Sequence, residues 1–348
     1  MRRSLPGVEL DDRIDALAQR GLADRALRSA VLRAISPTVP FNSYVWLSTD
    51  PETAVGCLPL AEVPDVRQVP SLIRNRYLVE ERHWANPLTP IVTTLVGAPD
   101  GTLGQRLWTK QLAAQGVTDV ATVVLRDAYG CWGFIDLWRI GGAFSAKECA
   151  TLESCASAAT TAARRSLLPT FAQSATGGAP MDEPAIVLLD DELCLLTQTA
   201  QAQAHLRALL PPAPDHAPIP AAVYNVAAQL LANEVGVGGQ AARARLPLGG
   251  RWLTTRAARA WPTAGRPAAI AVSIERATRD ERTDMYARVA GLSTREREIL
   301  RLLVIGGDTR AIAERLFLSA HTVQDHLKSI FTKTGVHNRK ILIARATG

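Results

Sequence analysis

The sequence predicts a multidomain α+β protein that ends in an all-α domain of four helices. The chain has 348 residues, more than a single hydrophobic core normally serves. Up to about residue 277 its apolar residues follow both helical and strand spacing, whereas from residue 291 only helical spacing occurs. We therefore expect domains at 1–170, 184–277 and 291–348, a linker at 171–183 and a connecting helix at 278–290.

The first predicted domain contains N-terminal helices, a sheet and a closing helix. A strand is expected at 43–49, and residues 127–130 join two further strands as a hairpin. Ser145, with Glu148 three residues later, forms a capping box that begins a long amphipathic helix. This order resembles a GAF domain over residues 15–168, as do the runs Trp132-Gly133-Phe134-Ile135-Asp136-Leu137 and Gly142-Ala143-Phe144-Ser145. The resemblance implies a sensory domain with an enclosed cavity.

The second predicted domain has two strands, then helices, then three strands. Residues 185–196 form two strands around a polar turn, and helices are expected at 199–210 and near 221–232. Strand-like runs follow at 241–246, 252–261 and 268–275. This element order resembles a degenerate PAS domain, a second sensory fold. The small residues at 176–180 favour a linker in front of it.

Positive charge is concentrated in the C-terminal part of the chain. From Arg288 to Gly348 there are eleven Arg and Lys against five Asp and Glu, an excess of six that equals the net charge of the whole chain. The first 287 residues are therefore neutral overall. A localised excess in a segment rich in periodic apolar residues is typical of a folded module that binds a polyanion.

The predicted C-terminal domain has clearly marked helix boundaries. Ser293 and Glu296 form a capping box, Asp308 caps a second helix and Ser319 caps a third. One side of the third helix carries the apolar residues Val323, Leu327, Ile330 and Phe331, and the other carries Gln324, Asp325, Lys328, Thr332 and Lys333. A helix with one apolar and one hydrogen-bonding side suits reading of the DNA major groove.

This segment resembles the C-terminal domain of LuxR-type regulators. The matching residues include Leu292-Ser293, Arg295-Glu296, Glu298-Ile299-Leu300, Gly306, Ile312-Ala313, Leu316, Ser319, Thr322-Val323, His326-Leu327, Ile330, Lys333, Gly335-Val336 and Arg339. The resemblance implies a helix-turn-helix at 309–328, a recognition helix at about 319–334 and binding of double-stranded DNA as a homodimer. Ala311 departs from the family, which often has a Glu there.

The resemblance also assigns roles to single residues. Gln324, Asp325 and Lys328 occupy the positions that approach base edges. Gln suits adenine and Lys suits guanine, whereas Asp accepts only from a cytosine amino group, so we expect Asp325 to provide selectivity rather than affinity. The candidates for phosphate contacts are Arg310, His321, Thr322, Lys333, Arg339 and Lys340. For each of these, the alternative is a solvated surface side chain.

A candidate ligand pocket lies in the stretch 76–88, where aromatic and polar residues alternate. It is similar to the acyl-homoserine lactone domains of other LuxR-type proteins, although Asn86 stands where they have Asp before the Pro. Tyr77 and Trp84 are therefore candidates for contact with an unknown small-molecule or protein effector, and core packing explains both residues equally well. No cofactor or metal is expected, because the histidines at 83, 205 and 216 are scattered.

The sequence is also compatible with two alternatives to a ligand-controlled regulator. A thiol-redox or other sensory enzyme with an appended DNA-binding domain would need paired cysteines, and Cys57 with Cys131 is the plausible couple. The second alternative is a regulator that binds a protein effector and no small ligand. A phospho-receiver domain is not expected, because Asp11-Asp12 precede a helix rather than a strand. With no run of eighteen apolar residues and no signal core, we expect a cytoplasmic protein without a membrane span.

Overall fold

Two antiparallel sheets and a C-terminal group of helices make up the described part of the chain. The structure is a computed structural model that describes residues 6–80, 83–96, 101, 103–173, 185–209, 221–261 and 268–348. Residues 174–183 of the predicted linker lie outside it. Phe171, at the start of that linker, is buried and stacks on Trp252 with ring centroids 4.7 Å apart.

The first sheet has five strands in the order β2-β1-β5-β4-β3. The strands are β1 (Ser43–Thr49), β2 (Gly56–Glu62), β3 (Val92–Thr94), β4 (Asp119–Asp127) and β5 (Gly130–Arg139). Helices α1 (Pro6–Gln19), α2 (Asp24–Ile35) and α5 (Ala146–Ser166) cover one face, and α3 (Val69–Tyr77) and α4 (Leu103–Ala113) pack on the other. The predicted hairpin and the Ser145–Glu148 capping box are both present.

The second sheet also has five strands, in the order β7-β6-β10-β9-β8. They are β6 (Ala185–Leu189), β7 (Leu195–Gln198), β8 (Arg243–Leu248), β9 (Arg251–Ala260) and β10 (Ala269–Arg276), with helices α6 (Ala200–Leu209) and α7 (Ala221–Glu234) between β7 and β8. This is the predicted element order. Neither α3 nor β3 is predicted by the sequence pattern, because α3 begins at a Val-Pro pair and β3 has only three residues.

Helix α7 lies between the two sheets. It packs on β9 of the second sheet and on β2 and α3 of the first domain. Val226 and Ala227 of α7 are fully buried in one apolar cluster that holds Phe134 of the first sheet and Ile270 of the second. The two predicted sensory domains therefore share a continuous core.

The C-terminal part consists of helices with short turns. They are α8 (Arg279–Val289), α9 (Thr294–Val304), α10 (Thr309–Leu316), α11 (Ala320–Thr334) and α12 (Arg339–Thr347). The predicted connecting helix, α8, packs on α9 and α12 and buries Met285 and Tyr286. It is therefore an integral part of this helical unit as well as a connection.

The C-terminal helices are attached to the first domain at its β4–β5 hairpin. Arg164 of α5 donates to the Asp127 carboxylate (2.8 Å) and to the carbonyl of Val289 (3.0 Å). Arg288 of α8 donates to the carbonyl of Tyr129 at 2.9 Å. The hairpin thus holds the end of α8, from which the remaining helices follow.

Candidate nucleic-acid interface

Helices α10 and α11 are joined by a tight turn, and a side chain caps the start of each. The Asp308 carboxylate accepts from the Ala311 N–H at 2.8 Å, and the Ser319 hydroxyl accepts from the Thr322 N–H at 3.0 Å. Between them Phe317 takes a left-handed conformation, with φ 53° and ψ 48°, which ends α10. Both predicted caps are confirmed, and the cap at Asp308 has no reciprocal acidic partner because residue 311 is Ala.

The two sides of α11 differ as the sequence predicts. Val323, Leu327 and Ile330 are buried beneath the helix. Gln324, Asp325 and Lys328 are exposed on the outer side, where the Asp325 and Lys328 side chains retain 53 % and 71 % of their accessible surface. The described part of the chain therefore leaves these three side chains accessible to a macromolecule.

The Asp325 carboxylate is flanked by two basic side chains. Lys328 Nζ lies 3.0 Å from Asp325 Oδ1, and His321 Nε2 lies 3.4 Å from Asp325 Oδ2. The hydrogen bond from Lys328 is the main cause that lowers the pKa of Asp325, and the charge of His321 adds to it. The acidic group on this side of the helix is thus matched by neighbouring positive charge.

Glu296 fixes α11 onto α9. Its carboxylate is buried and accepts from Ser329 Oγ, Lys333 Nζ and the Ser293 N–H, each at 2.6 Å. Burial alone would raise the pKa of Glu296, but the bonds from Lys333, Ser329 and Ser293 outweigh it and hold the pKa at about 2. The Lys333 ammonium, a candidate for phosphate binding, is therefore already paired with a buried carboxylate.

The other candidates for phosphate contacts differ in their surroundings. Arg310 is exposed and pairs with Glu314 at 3.1 Å, whereas Arg339 is half-buried and donates to Thr309 Oγ1. Thr322 is half-buried at the start of α11, and His321 and Lys340 are exposed. A shallow groove brings together Thr309, Gln324, Leu327, Lys328, Phe331, Asn338 and Arg339.

The groove contains two further polar residues that the sequence pattern does not mark as DNA contacts, Thr309 and Asn338. Thr309 begins α10, and Asn338 caps α12 by accepting from the Ile341 N–H at 2.9 Å. In the sequence, Thr309 and Asn338 are marked only by their positions at the starts of helices, which does not indicate DNA binding. The groove places Arg339 of α12 beside Gln324 and Lys328 of α11, a juxtaposition that helical periodicity does not reveal.

Of the two candidates for contact with a ligand, Tyr77 lines a cavity and Trp84 does not. Tyr77 lines a cavity of about 440 Å³ on the face of the first sheet that α3 covers. Trp84 is fully buried, its Nε1 donates to the Ala54 carbonyl at 2.7 Å, and its ring stacks on His83 with centroids 4.4 Å apart. Trp84 thus lies behind the cavity wall.

The geometry does not support a redox couple between Cys57 and Cys131. They lie on β2 and β5, which flank β1 on opposite sides. Two strand spacings separate their Cα atoms by about 10 Å, more than a disulfide spans. Burial raises the pKa of both thiols above the usual range, for Cys131 to about 11. Among the described residues, no group of three His, Cys, Asp or Glu side chains is arranged to hold a metal ion.

Comparison with known proteins agrees with this geometry. Residues 290–346 match the family of bacterial regulatory proteins named luxR. This segment is a luxR-family helix-turn-helix domain. It begins directly after α8 and includes α9, α10, α11 and all but the last residue of α12, so it contains the capped pair of helices and the groove beside them.

Two relatives of the luxR-family domain are named transcriptional regulators, and a third is named a spore germination protein. The monoamine regulon transcriptional regulator of Klebsiella aerogenes is 38 % identical over 80 residues, which are 23 % of this chain and 35 % of that protein. DesR, a transcriptional regulatory protein of Bacillus subtilis, is 35 % identical over 63 residues, 18 % of this chain and 32 % of its own length. The spore germination protein GerE of Bacillus subtilis is 44 % identical over 48 residues, 14 % of this chain and 65 % of its own length.

The chain thus spans about a third of the length of the first two relatives. No helix within the described ranges is both long and apolar enough to cross a membrane.

Proposed function

We propose that the chain is a transcriptional regulator that reads DNA with α11 in the major groove. The main support for this proposal is that Gln324, Asp325 and Lys328 are exposed on a helix whose opposite side is buried against α9 and α10. Gln324 and Lys328 would hydrogen-bond to base edges, while Asp325 would repel phosphates and admit a cytosine amino group. The enrichment of positive charge after Arg288 supports binding to a polyanion.

Phosphate contacts would position this helix. The start of α11, where Thr322 lies, carries the partial positive charge of a helix N-terminus, which favours a phosphate. Arg310, His321, Arg339 and Lys340 would add basic or polar contacts on the same side. Lys333 would contribute mainly by holding α11 through Glu296.

The functional unit would be a homodimer in the cytoplasm that binds two half-sites. A single helix-turn-helix module contacts only a few base pairs, and pairing of two modules supplies the remaining affinity. The two sheets would form GAF-like and PAS-like sensory domains at 1–170 and 184–277 that respond to an effector. Their shared core around α7 supports a common response rather than two independent ones.

The test begins with selection of a binding sequence from random duplexes by the full chain. Lys328→Ala is then compared with Lys147→Ala, which removes an exposed lysine of α5 in the first domain. We expect Lys328→Ala to weaken specific binding by about 1–3 kcal/mol and to reduce the preference for the selected sequence over a scrambled one. Lys147→Ala should leave both unchanged. Equal effects of the two variants, or failure to select any sequence, would contradict the proposal.

A further inference from the structure

We propose that a second cavity, between the second sheet and the C-terminal helices, binds a small anion of the phosphate class through arginines from both. The anion is either free phosphate or the phosphate group of a larger small molecule. The second cavity lies away from the DNA interface, so the inference goes beyond the proposed function and does not depend on it.

The second cavity is formed where three parts of the chain meet. Its volume of about 660 Å³ lies within the range of ligand pockets, roughly 300–1,000 Å³. Arg251 begins β9 and Arg276 ends β10, whereas Arg282 lies on α8 and Arg345 on α12. Phe171, from the segment after α5, adds an aromatic wall. A molecule in this space therefore touches the second sheet and the C-terminal helices together.

The charged side chains of the second cavity are all positive. Its described lining contains the four arginines and no Asp or Glu. Guanidinium groups keep their protons, so the four like charges repel one another and cannot be neutralised by deprotonation. Their planar donor pairs match the oxygens of a phosphate group. The lining therefore favours a phosphate, which brings more than one negative charge, over a neutral ligand.

Arg282 is a buried cation without a counter-ion. The residue retains 7 % of its accessible surface, and burial lowers its pKa. Its Nη2 donates to the Phe171 carbonyl at 3.3 Å, and within the described ranges no carboxylate, that of Gly348 included, forms an ion pair with it. Nη1 makes no hydrogen bond there and is not fully enclosed, so it is available to a group in the cavity. An uncompensated buried charge is strongly unfavourable, and an anion that accepts from Nη1 would compensate it.

The DNA interface lies on the other side of α12. Ile341, Ala344 and Arg345 line the second cavity, whereas Arg339 lines the groove beside α11. Because an α-helix turns about 100° per residue, the three cavity residues lie roughly 140–240° around α12 from Arg339. A duplex in the groove therefore faces away from the second cavity, and a small anion fits it better than a DNA phosphate does.

The test is calorimetry on the full chain at pH 8 without DNA, with phenyl phosphate, phenyl sulfate and inorganic phosphate as probes. Phenyl phosphate carries about two negative charges at that pH, and phenyl sulfate has a similar shape with a single charge. We expect phenyl phosphate to bind about tenfold more tightly than phenyl sulfate. Inorganic phosphate identifies the source of the ligand: weaker binding than phenyl phosphate indicates a phosphate ester, and equal binding indicates free phosphate.

Arg282→Met removes the buried cation and should weaken phenyl phosphate binding about tenfold. Arg345→Ala, at a half-buried position of α12, should change binding in the same direction and serves if circular dichroism shows that Arg282→Met alters the fold. The matched control is Arg279→Ala, which removes an exposed arginine of the same helix as Arg282 that is not part of the cavity lining. This variant should bind phenyl phosphate like the parent chain.

Absence of binding by both phosphates, equal binding of phenyl sulfate and phenyl phosphate, or equal effects of Arg282→Met and Arg279→Ala would overturn the proposal. Displacement of phenyl phosphate by an excess of random duplex DNA would assign its binding to the DNA interface, and would overturn it as well. Because the main measurements need no DNA, their failure is distinguishable from failure of the proposed DNA-binding function.

Discussion

The Arg245 guanidinium holds the buried Asp50 carboxylate with two hydrogen bonds, Nε–Oδ2 and Nη2–Oδ1, each of 2.7 Å. Asp50 follows β1 of the first sheet and Arg245 lies on β8 of the second, and neither side chain retains more than 1 % of its accessible surface. Arg245 Nη1 also lies 3.1 Å from Asp284 of α8. One arginine therefore joins both sheets to the helix that leads into the luxR-family domain.

Arg245→Met should destabilise the whole chain. The substitution leaves Asp50 buried without its cation, and loss of one partner of a buried pair costs about 3–5 kcal/mol. Arg67→Met is the matched control, because Arg67 forms an exposed pair with Asp65 whose loss should leave the stability almost unchanged. Urea denaturation followed by circular dichroism measures both.

The double variant Arg245→Met, Asp50→Asn should recover part of the lost stability, because no uncompensated charge of Asp50 remains. If Arg245→Met were as mild as Arg67→Met, the pair would not join the domains as described.

Acid should weaken the attachment of α11 through Glu296. Its pKa of about 2 lies below the ordinary value of 4.5, so the stabilisation is complete above that ordinary value and is lost as the pH falls through about 2. Glu296→Gln should therefore lower the melting temperature most at pH 7, and its difference from the parent chain should shrink from pH 4.5 towards pH 2.

The control for this pH series is Glu298→Gln, since Glu298 pairs with Arg295 at the surface of the same helix. Its melting temperature should stay within a degree or two of the parent at every pH. A pH-independent effect of Glu296→Gln would show that the carboxylate charge does not stabilise the helix contact.

Asp325→Ala should reduce sequence discrimination while it increases binding to random DNA. Removal of this carboxylate frees Lys328 and His321 from their acidic neighbour and eliminates repulsion of phosphates. We expect the ratio of specific to random affinity to fall on the order of tenfold. Fluorescence anisotropy on the selected and scrambled duplexes gives both affinities.

Glu314→Ala provides the comparison, because it removes an exposed carboxylate of α10 that pairs with Arg310, a candidate for phosphate rather than base contact. It should raise both affinities equally and leave their ratio unchanged. A fall in the ratio for both variants would mean that net charge alone explains the effect of Asp325.

Thiol labelling should find Cys194 first. Cys194 is exposed and Cys149 is half-buried, whereas Cys57, Cys131 and Cys155 are buried. Burial raises the pKa of Cys155 to about 12, so little thiolate is present at pH 8. A chromogenic disulfide reagent should titrate one fast thiol in the folded chain, and Cys194→Ser should remove it. Formation of a Cys57–Cys131 disulfide under mild peroxide would revive the thiol-redox alternative.

The luxR-family domain was predictable because its signals are local. The caps at Ser293, Asp308 and Ser319 and the apolar spacing of α11 are properties of segments under twenty residues, and local capping and periodicity determine where such helices begin and which side is buried. The same holds for the β4–β5 hairpin and for the start of α5. The cavity beside Tyr77 could not be predicted in this way. Tyr77 and Trp84 are close in sequence, and only the packing of the folded chain shows that Tyr77 lines this cavity while Trp84 belongs to the core.

By itself, the sequence determined most of the elements, α3 and β3 excepted, together with their order and the exposed face of α11, since each of these depends on neighbours within a few turns of helix or strand. Only the tertiary structure decided that α7 separates the two sheets, that Lys333 pairs with Glu296 and that Arg245 meets Asp50 across 195 residues of chain. The physical reason is that such contacts depend on how whole elements pack against one another. Hydrophobic periodicity specifies which face of an element is buried, but not which partner covers it.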